Sequence, residues 1–257
     1  MGNKQPTRIL ITRLSHIGDC ILTLPVLSAI RGQYPEAFIA WAVESPSQKL
    51  LRHHPDLDEI IMSPRGWMGR PKCWSGVAKN LRSFKFDIAI DPQGITKSAL
   101  LGWMSGAQIR VGGRGRWGRE LSPVLNNRLV ETKSAHVVDR SMELLTAIGV
   151  QGNHLESRCL DLPLCEQAGN TMGDWVSNTG IEGPFVVINP GGSWASKRWE
   201  MDRYGAVASY LKRQYKIQSV VVWANEEELE MANAIHEVDP EATILAPATS
   251  LTELAAL

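Results

Sequence analysis

Apolar positions along this chain follow two alternating rhythms. Residues 8–13 carry a short strand pattern around Ile9, Leu10 and Ile11, and Leu14-Ser15-His16-Ile17-Gly18-Asp19 interrupts it before Ile21, Leu22, Leu24, Val26, Leu27 and Ile30 recur at near-helical spacing. That is a strand, a loop and a helix. Strands are predicted next at 38–43, 59–62 and 86–91, with helices at 46–53 and 96–104, and a long apolar-striped helix at 136–148. After Gly183-Pro184 the rhythm restarts, with strands at 185–188, 219–223 and 243–245 and helices at 203–215 and 226–237. Strands that alternate with helices build parallel sheets, so the fold class is α/β. Two such series predict an N-terminal domain over 1–165, a linker region over 166–183 that includes a helix near 165–176, and a second domain over 184–257.

Three stretches break the rhythm and carry polar chemistry. Ser63 to Ser75 is rich in Pro, Gly and Trp with Arg65, Arg70 and Lys72, and is read as a long functional loop. Gly112-Gly113-Arg114-Gly115-Arg116-Trp117-Gly118-Arg119 is either a solvated turn or an anion clamp, since guanidinium groups match phosphate and carboxylate geometry. Asn189-Pro190-Gly191-Gly192-Ser193 followed by Lys197 reads as a strand end, a close turn and a helix start. Exposed backbone N–H groups and a cation suit such a turn to phosphate, although an ordinary strand-to-helix turn would look the same.

Composition narrows the function classes. Lys plus Arg and Asp plus Glu number 27 each, so no global field recruits nucleic acid, and no nucleic-acid recognition motif is present. The longest apolar runs fall far short of a membrane span, and the first residues lack the apolar core of a signal peptide, which predicts a cytoplasmic protein. The four cysteines are read as reduced thiols, because no C-x-x-C accompanies a His pair.

Ligands of open α/β sheets bind beyond the carboxyl ends of strands, which groups His16, Asp19, Asp91 and Gln93 as candidates for one cleft. Asp19 reads either as a helix N-cap or as a carboxylate that takes a proton from an incoming hydroxyl, with His16 as the rival base. Lys197 is placed to meet charge on a departing diphosphate, and no acidic pair suggests a metal. Glu226, at a strand end and helix start, is either a ribose-binding acid or favourable first-turn charge.

The motifs Ile9 to Asp19 with Leu24-Pro25-Val26-Leu27, His136-Val137-Val138-Asp139-Arg140, Asn189 to Ser193 with Ala195-Ser196-Lys197-Arg198-Trp199, and Ser250 to Leu254 together resemble glycosyltransferase family 9. These are the ADP-heptose:lipopolysaccharide heptosyltransferases. The resemblance implies a GT-B architecture, with two Rossmann-like domains facing a cleft, and an inverting, metal-independent transfer that needs no cofactor. It implies an ADP-sugar donor and a lipid-linked anionic saccharide acceptor at the inner membrane surface. By motif, Asp19 corresponds to the general base, Gly191, Gly192, Ser193 and Lys197 to donor-phosphate contacts, and Glu226 to the ribose acid. His16, Gln93, Arg65 and Arg114 are candidate acceptor contacts. Family members continue through an Asp-x-Gly-x-x-His type motif, so the chain is expected to be a C-terminally shortened member with an incomplete second domain. The alternative class is a nucleotide-sugar-binding protein without transferase activity. The sugar, the acceptor and the oligomeric state stay open.

Overall fold

The computed structural model describes residues 8–64, 66–151, 160–163, 165–192 and 194–257. The chain divides into two compact units, Met1–Pro163 and Leu164–Leu257.

The first unit is built on a six-stranded parallel sheet of β1 (Arg8–Thr12), β2 (Phe38–Val43), β3 (Glu59–Met62), β4 (Ile88–Asp91), β5 (Ile109–Gly113) and β6 (Arg128–Val130). Their order is β3-β2-β1-β4-β5-β6. The strands read as nearly continuous apolar runs because both faces are covered. Successive side chains point to opposite faces. Ile9, Ile11, Ile39, Trp41, Ile88, Ile90 and Val111 pack with α2 (Leu24–Gln33) and α7 (Val137–Glu143) through Leu27, Ile30, Val138 and Met142. On the other face Leu10, Ala40, Ala42 and Ala89 meet Leu81, Leu100, Leu101 and Met104 from α4 (Pro71–Ser83) and α5 (Thr96–Met104). The short helices α1 (Ile17–Ile21), α3 (Gln48–Leu51) and α6 (Ser122–Leu125) close loops around this sheet.

Two elements differ from expectation. The loop predicted over 63–75 gives way at Pro71 to α4, a helix of 13 residues. Proline suits the first helical turn, where its missing N–H costs no hydrogen bond, and only Leu81 of this helix is fully buried, so the apolar stripe is thin. The helix expected over 136–148 is α-helical only to Glu143 and continues as a 3-10 turn, Leu144–Ile148.

In the second unit β7 (Phe185–Ile188), β8 (Gln218–Val221) and β9 (Thr243–Leu245) form a parallel three-stranded sheet. Ile188 and Val221 face α9 (Met201–Tyr215) and α10 (Glu226–Val238) through Ala208, Ala232 and Ile235. Val220, Val222 and Ala246 face Trp175 of α8 (Glu166–Asn178) and Leu254 of α11 (Leu251–Ala256). Residues 166–178, placed above in a linker region, therefore contribute a helix to the core of this unit. A capping box of Ser250 and Glu253 starts α11.

Strand order in the first sheet reverses between β1 and β4, and the loops beyond these two strands are fastened together. The Leu14 N–H donates to Gln93 Oε1 at 2.8 Å, and Thr12 Oγ1 donates to the Ile90 carbonyl at 3.2 Å. Beneath them lies Asp91, buried, with Oδ1 accepting from the Gly94 N–H at 2.9 Å and Oδ2 from Ser122 Oγ and Asn126 Nδ2 at 3.1 Å each. Burial pushes this carboxyl above the ordinary aspartate range, against the pull of its donors. Asp91 is thus a structural hub that ties β4 to α6. Replacing it with alanine leaves those donors without an acceptor, which costs about 3 kcal/mol. We expect Asp91→Ala to lower the urea midpoint of unfolding correspondingly, while a surface control such as Glu36→Ala leaves it in place.

Candidate active site

At this switch point the first unit holds a pocket of about 250 Å³ whose wall includes Arg13, Asp19, Gln93, Arg116, Trp117, Arg119 and Arg140. Carboxyl ends of parallel strands at a reversal in order are the usual ligand crevice of open α/β sheets. Four arginines meet here with Asp19 and the buried Asp91 as the pocket's carboxyl groups.

The arginines are held by an ion pair, by the Trp117 ring and by backbone hydrogen bonds. Arg13 is buried at the end of β1, where Nη1 donates to the Pro92 carbonyl at 3.0 Å and Nη2 pairs with Asp19 Oδ2 at 2.8 Å. Arg140, in α7, lies with its guanidinium carbon 3.5 Å from the centre of the Trp117 ring, and Arg116 stacks on the same ring at 4.5 Å. Arg140 Nη1 also donates to the Ala135 carbonyl at 3.2 Å. Burial, then the charges of Arg13, Arg116 and Arg119, push the Arg140 guanidinium below its ordinary range. It remains a cation at neutral pH. The Arg119 N–H donates to the Gly94 carbonyl at 2.8 Å. Gly94 has φ +66°, and a Cβ there would lie 2.1 Å from the Trp117 carbonyl oxygen, so only glycine lets the two loops approach. The site therefore gathers four guanidinium groups, a chemistry suited to anions, beside a half-exposed carboxylate.

Asp19 is the third residue of α1, and the N-cap is His16, which makes no side-chain cap. The capping role considered for Asp19 is therefore replaced by the ion pair with Arg13. His16 is exposed and does not line the pocket. Gln93 does, with its Oε1 committed to Leu14. Arg114 is exposed and outside the pocket wall, because its N–H continues the β5 ladder to the Val130 carbonyl and the chain then turns to present Arg116 and Arg119 instead. Arg65 lies outside the described residues. Arg13 and Arg140 were not among the candidates, although both stand inside quoted motifs. A charged residue just beyond the apolar centre Ile9-Leu10-Ile11 of β1 was the available signal for Arg13.

The second unit carries the other candidate loop. After β7, Asn189 Oδ1 accepts the Gly191 N–H at 3.1 Å, so that amide is already engaged. A Cβ on Gly191 would lie 2.3 Å from Glu228 Oε1, which explains glycine there by close approach. Glu228 Oε2 in turn accepts the Ala224 N–H at 2.9 Å. Arg198 donates from Nε to the Gly192 carbonyl at 3.0 Å and pairs through Nη1 with Glu227. Lys197, next to it on a 3-10 turn, is exposed. Glu226 is the exposed first residue of α10, so the acid packed beneath the glycine loop is Glu228. Ser193 lies outside the described residues.

The chain is 26% identical over 219 residues to the lipopolysaccharide core heptosyltransferase OpsX of Haemophilus influenzae, covering 84% of this chain and 59% of that protein. It thus spans less than two thirds of that relative's length. The crystal structure of the family 9 glycosyl transferase from Veillonella parvula superposes with a TM-score of 0.79 at 26% identity, over 97% of this chain and 72% of that one. The Escherichia coli heptosyltransferase WaaC with ADP-2-deoxy-2-fluoro heptose superposes at TM-score 0.76 and 20% identity, over 97% and 79%, and the α/β fold with parallel sheets matches that of such GT-B enzymes. The family description "Glycosyltransferase family 9 (heptosyltransferase)" matches residues 74–257, and the chain belongs to glycosyltransferase family 9.

Proposed function

We propose that this chain acts in an inverting, metal-independent transfer of a heptose or related sugar from an ADP-sugar to an anionic, lipid-linked inner-core acceptor of lipopolysaccharide. The observation that carries this reading is the arginine-lined pocket with Asp19 on its wall. An acceptor sugar whose acidic groups sit against Arg116, Arg119 and Arg140 brings a hydroxyl towards the only half-exposed carboxylate of that wall. Asp19 takes the hydroxyl proton as the oxygen attacks the anomeric carbon from the face opposite the departing diphosphate. Lys197 and the Gly191-Gly192-Ser193 loop meet the charge that grows on that diphosphate. Support for the donor comes from the names of the relatives, which are heptosyltransferases.

The acceptor's lipid places the reaction at the cytoplasmic surface of the inner membrane, and the first unit has a face suited to it. Residues 60–86 contain Arg65, Arg70, Lys72, Lys79, Arg82 and Lys85 and not one Asp or Glu. Lys72 and Lys79 are exposed on α4, and Met68 and Trp74 are exposed beside them. Among the described residues no helix is long and apolar enough to cross a membrane. Contact is by charge and shallow apolar insertion.

In the full-length protein, Asp19→Asn is expected to lower the rate of ADP release with acceptor present by about 10²-fold or more. A wild-type rate would sink the base assignment. Lys197→Ala is expected to cost about 10²-fold in kcat, and a chelator is expected to change nothing; loss of activity in EDTA would refute the metal-free route. Vesicle co-sedimentation tests the membrane face. At about 1 kcal/mol per cation near an anionic surface, Lys72→Gln with Lys79→Gln weakens binding to phosphatidylglycerol vesicles about thirtyfold. Equal binding by the double variant would exclude this face.

A further inference from the structure

Arg13 is more tightly built in than its role as one cation among four requires. Its carbonyl accepts the Trp41 indole N–H at 3.0 Å and the Cys20 thiol at 3.7 Å. The next residue is pinned at both backbone atoms, the Leu14 N–H to Gln93 Oε1 at 2.8 Å and the Leu14 carbonyl to the Glu44 N–H at 2.9 Å. Trp41 itself is fully buried, so the anchor belongs to the core. From this fixed base the guanidinium reaches the Pro92 carbonyl with Nη1 and Asp19 Oδ2 with Nη2, and its Nε is buried without a hydrogen-bond partner among the described residues. Asp19 by contrast rides on a helix of only five residues, with its side chain 41% exposed. A carboxylate there has rotational freedom unless something outside the helix holds it.

We propose that Arg13 is the positioning residue of the Asp19 carboxylate, a rigid fork that fixes Oδ2 and leaves Oδ1 to take the proton. The inference rests on the reading of Asp19 as the base. In the reaction the acceptor O–H bond breaks and its proton goes to Oδ1. The acceptor oxygen forms the bond to the anomeric carbon, and the carbon–oxygen bond to the diphosphate breaks with its electron pair leaving on the diphosphate. Arg13 gains and loses nothing. Its Nη2–H stays on Oδ2, which becomes the carbonyl oxygen of the neutral acid, so the carboxyl does not turn while the proton moves. The two contacts also explain the choice of arginine: a single ammonium cannot hold Pro92 and Asp19 at once in a planar fork.

The test uses Arg13→Met, which keeps the aliphatic stem, and Arg13→Lys, which keeps the charge, each alone and in the Asp19→Asn background. Loss of orientation of a reacting group by about an ångström costs about 10²-fold. Arg13→Met is therefore expected to lower kcat about 10²-fold with little change in KM for the donor, and added guanidinium should recover part of the rate. Arg13→Lys should fall between Met and wild type. In the Asp19→Asn background, Arg13→Met should cost less than about threefold more, because both act on one step. Full activity of Arg13→Met, or losses that multiply in the double variant, overturns the proposal. So does a change confined to KM for the acceptor, which would make Arg13 an acceptor ligand. If Arg13→Met fails to fold, the Lys variant decides: wild-type kcat there refutes the need for the fork. A fully active Asp19→Asn sinks the base reading itself, whereas an inactive Asp19→Asn beside a fully active Arg13→Met sinks only this inference.

Discussion

Bringing four guanidinium groups to the rim of one small pocket is the constraint around which the first unit is arranged. Like charges at close range repel by several kcal/mol even at an effective dielectric near 20. The chain as a whole is neutral, so relief has to be local. It comes in pieces: an ion pair with Asp19, backbone carbonyls of Pro92 and Ala135, and the face of Trp117, which serves Arg116 and Arg140 together. Each is worth about 1 to 3 kcal/mol. At Arg140 burial, and after it the charges of Arg13, Arg116 and Arg119, still hold the guanidinium below its ordinary range.

That arrangement needs loops that do not move apart. The β1 and β4 loops are joined through Gln93 and Leu14, and the β4 and β5 loops through Gly94 and the Trp117–Arg119 backbone. Asp91 is the buried knot under both. Its carboxyl resembled a cleft-facing candidate because it ends a strand, but its oxygens are turned inward to Gly94, Ser122 and Asn126. Two carboxyls thus stand beyond neighbouring strands in different settings, Asp91 buried among donors and Asp19 half-exposed on the pocket wall.

The elements that were legible in advance are those whose pattern is set by two covered faces. β1, β2, β4 and α5 fall within a residue or two of the periodicity because inward and outward positions are both apolar in the strands. α4 was missed because its pattern is thin: Cys73, Val77 and Ala78 are only half-buried, and Pro71 and Gly76 read as breakers. In the site, Asp19 and Gln93 were legible from position at strand ends. Arg13 and Arg140 were not, because what buries them is distant in sequence: Trp41 lies 28 residues from Arg13, and Trp117 lies a strand away from α7. Arg114 falls outside the pocket wall through the path of one turn. Glu226 begins the helix, whereas the rotation of α10 aims the third acid, Glu228, under Gly191.

The two loops share a division of labour that neither motif reveals alone. In the first unit Arg13 is given over to structure while Arg116 and Arg119 stay at the surface. In the second, adjacent cations split the same way: Arg198 is bound to Gly192 and Glu227, and Lys197 is left exposed. The chemistry accounts for the assignment. A planar fork can bond two partners and lock a loop, so arginine is the residue spent on architecture. A single ammonium makes no such fork, and it is the lysine that stays exposed. An exchange of the two at 197 and 198 would keep the net charge and the motif's composition yet take the fork away from Gly192 and Glu227, so the order Lys-Arg, and not merely two basic residues, is what locks this loop.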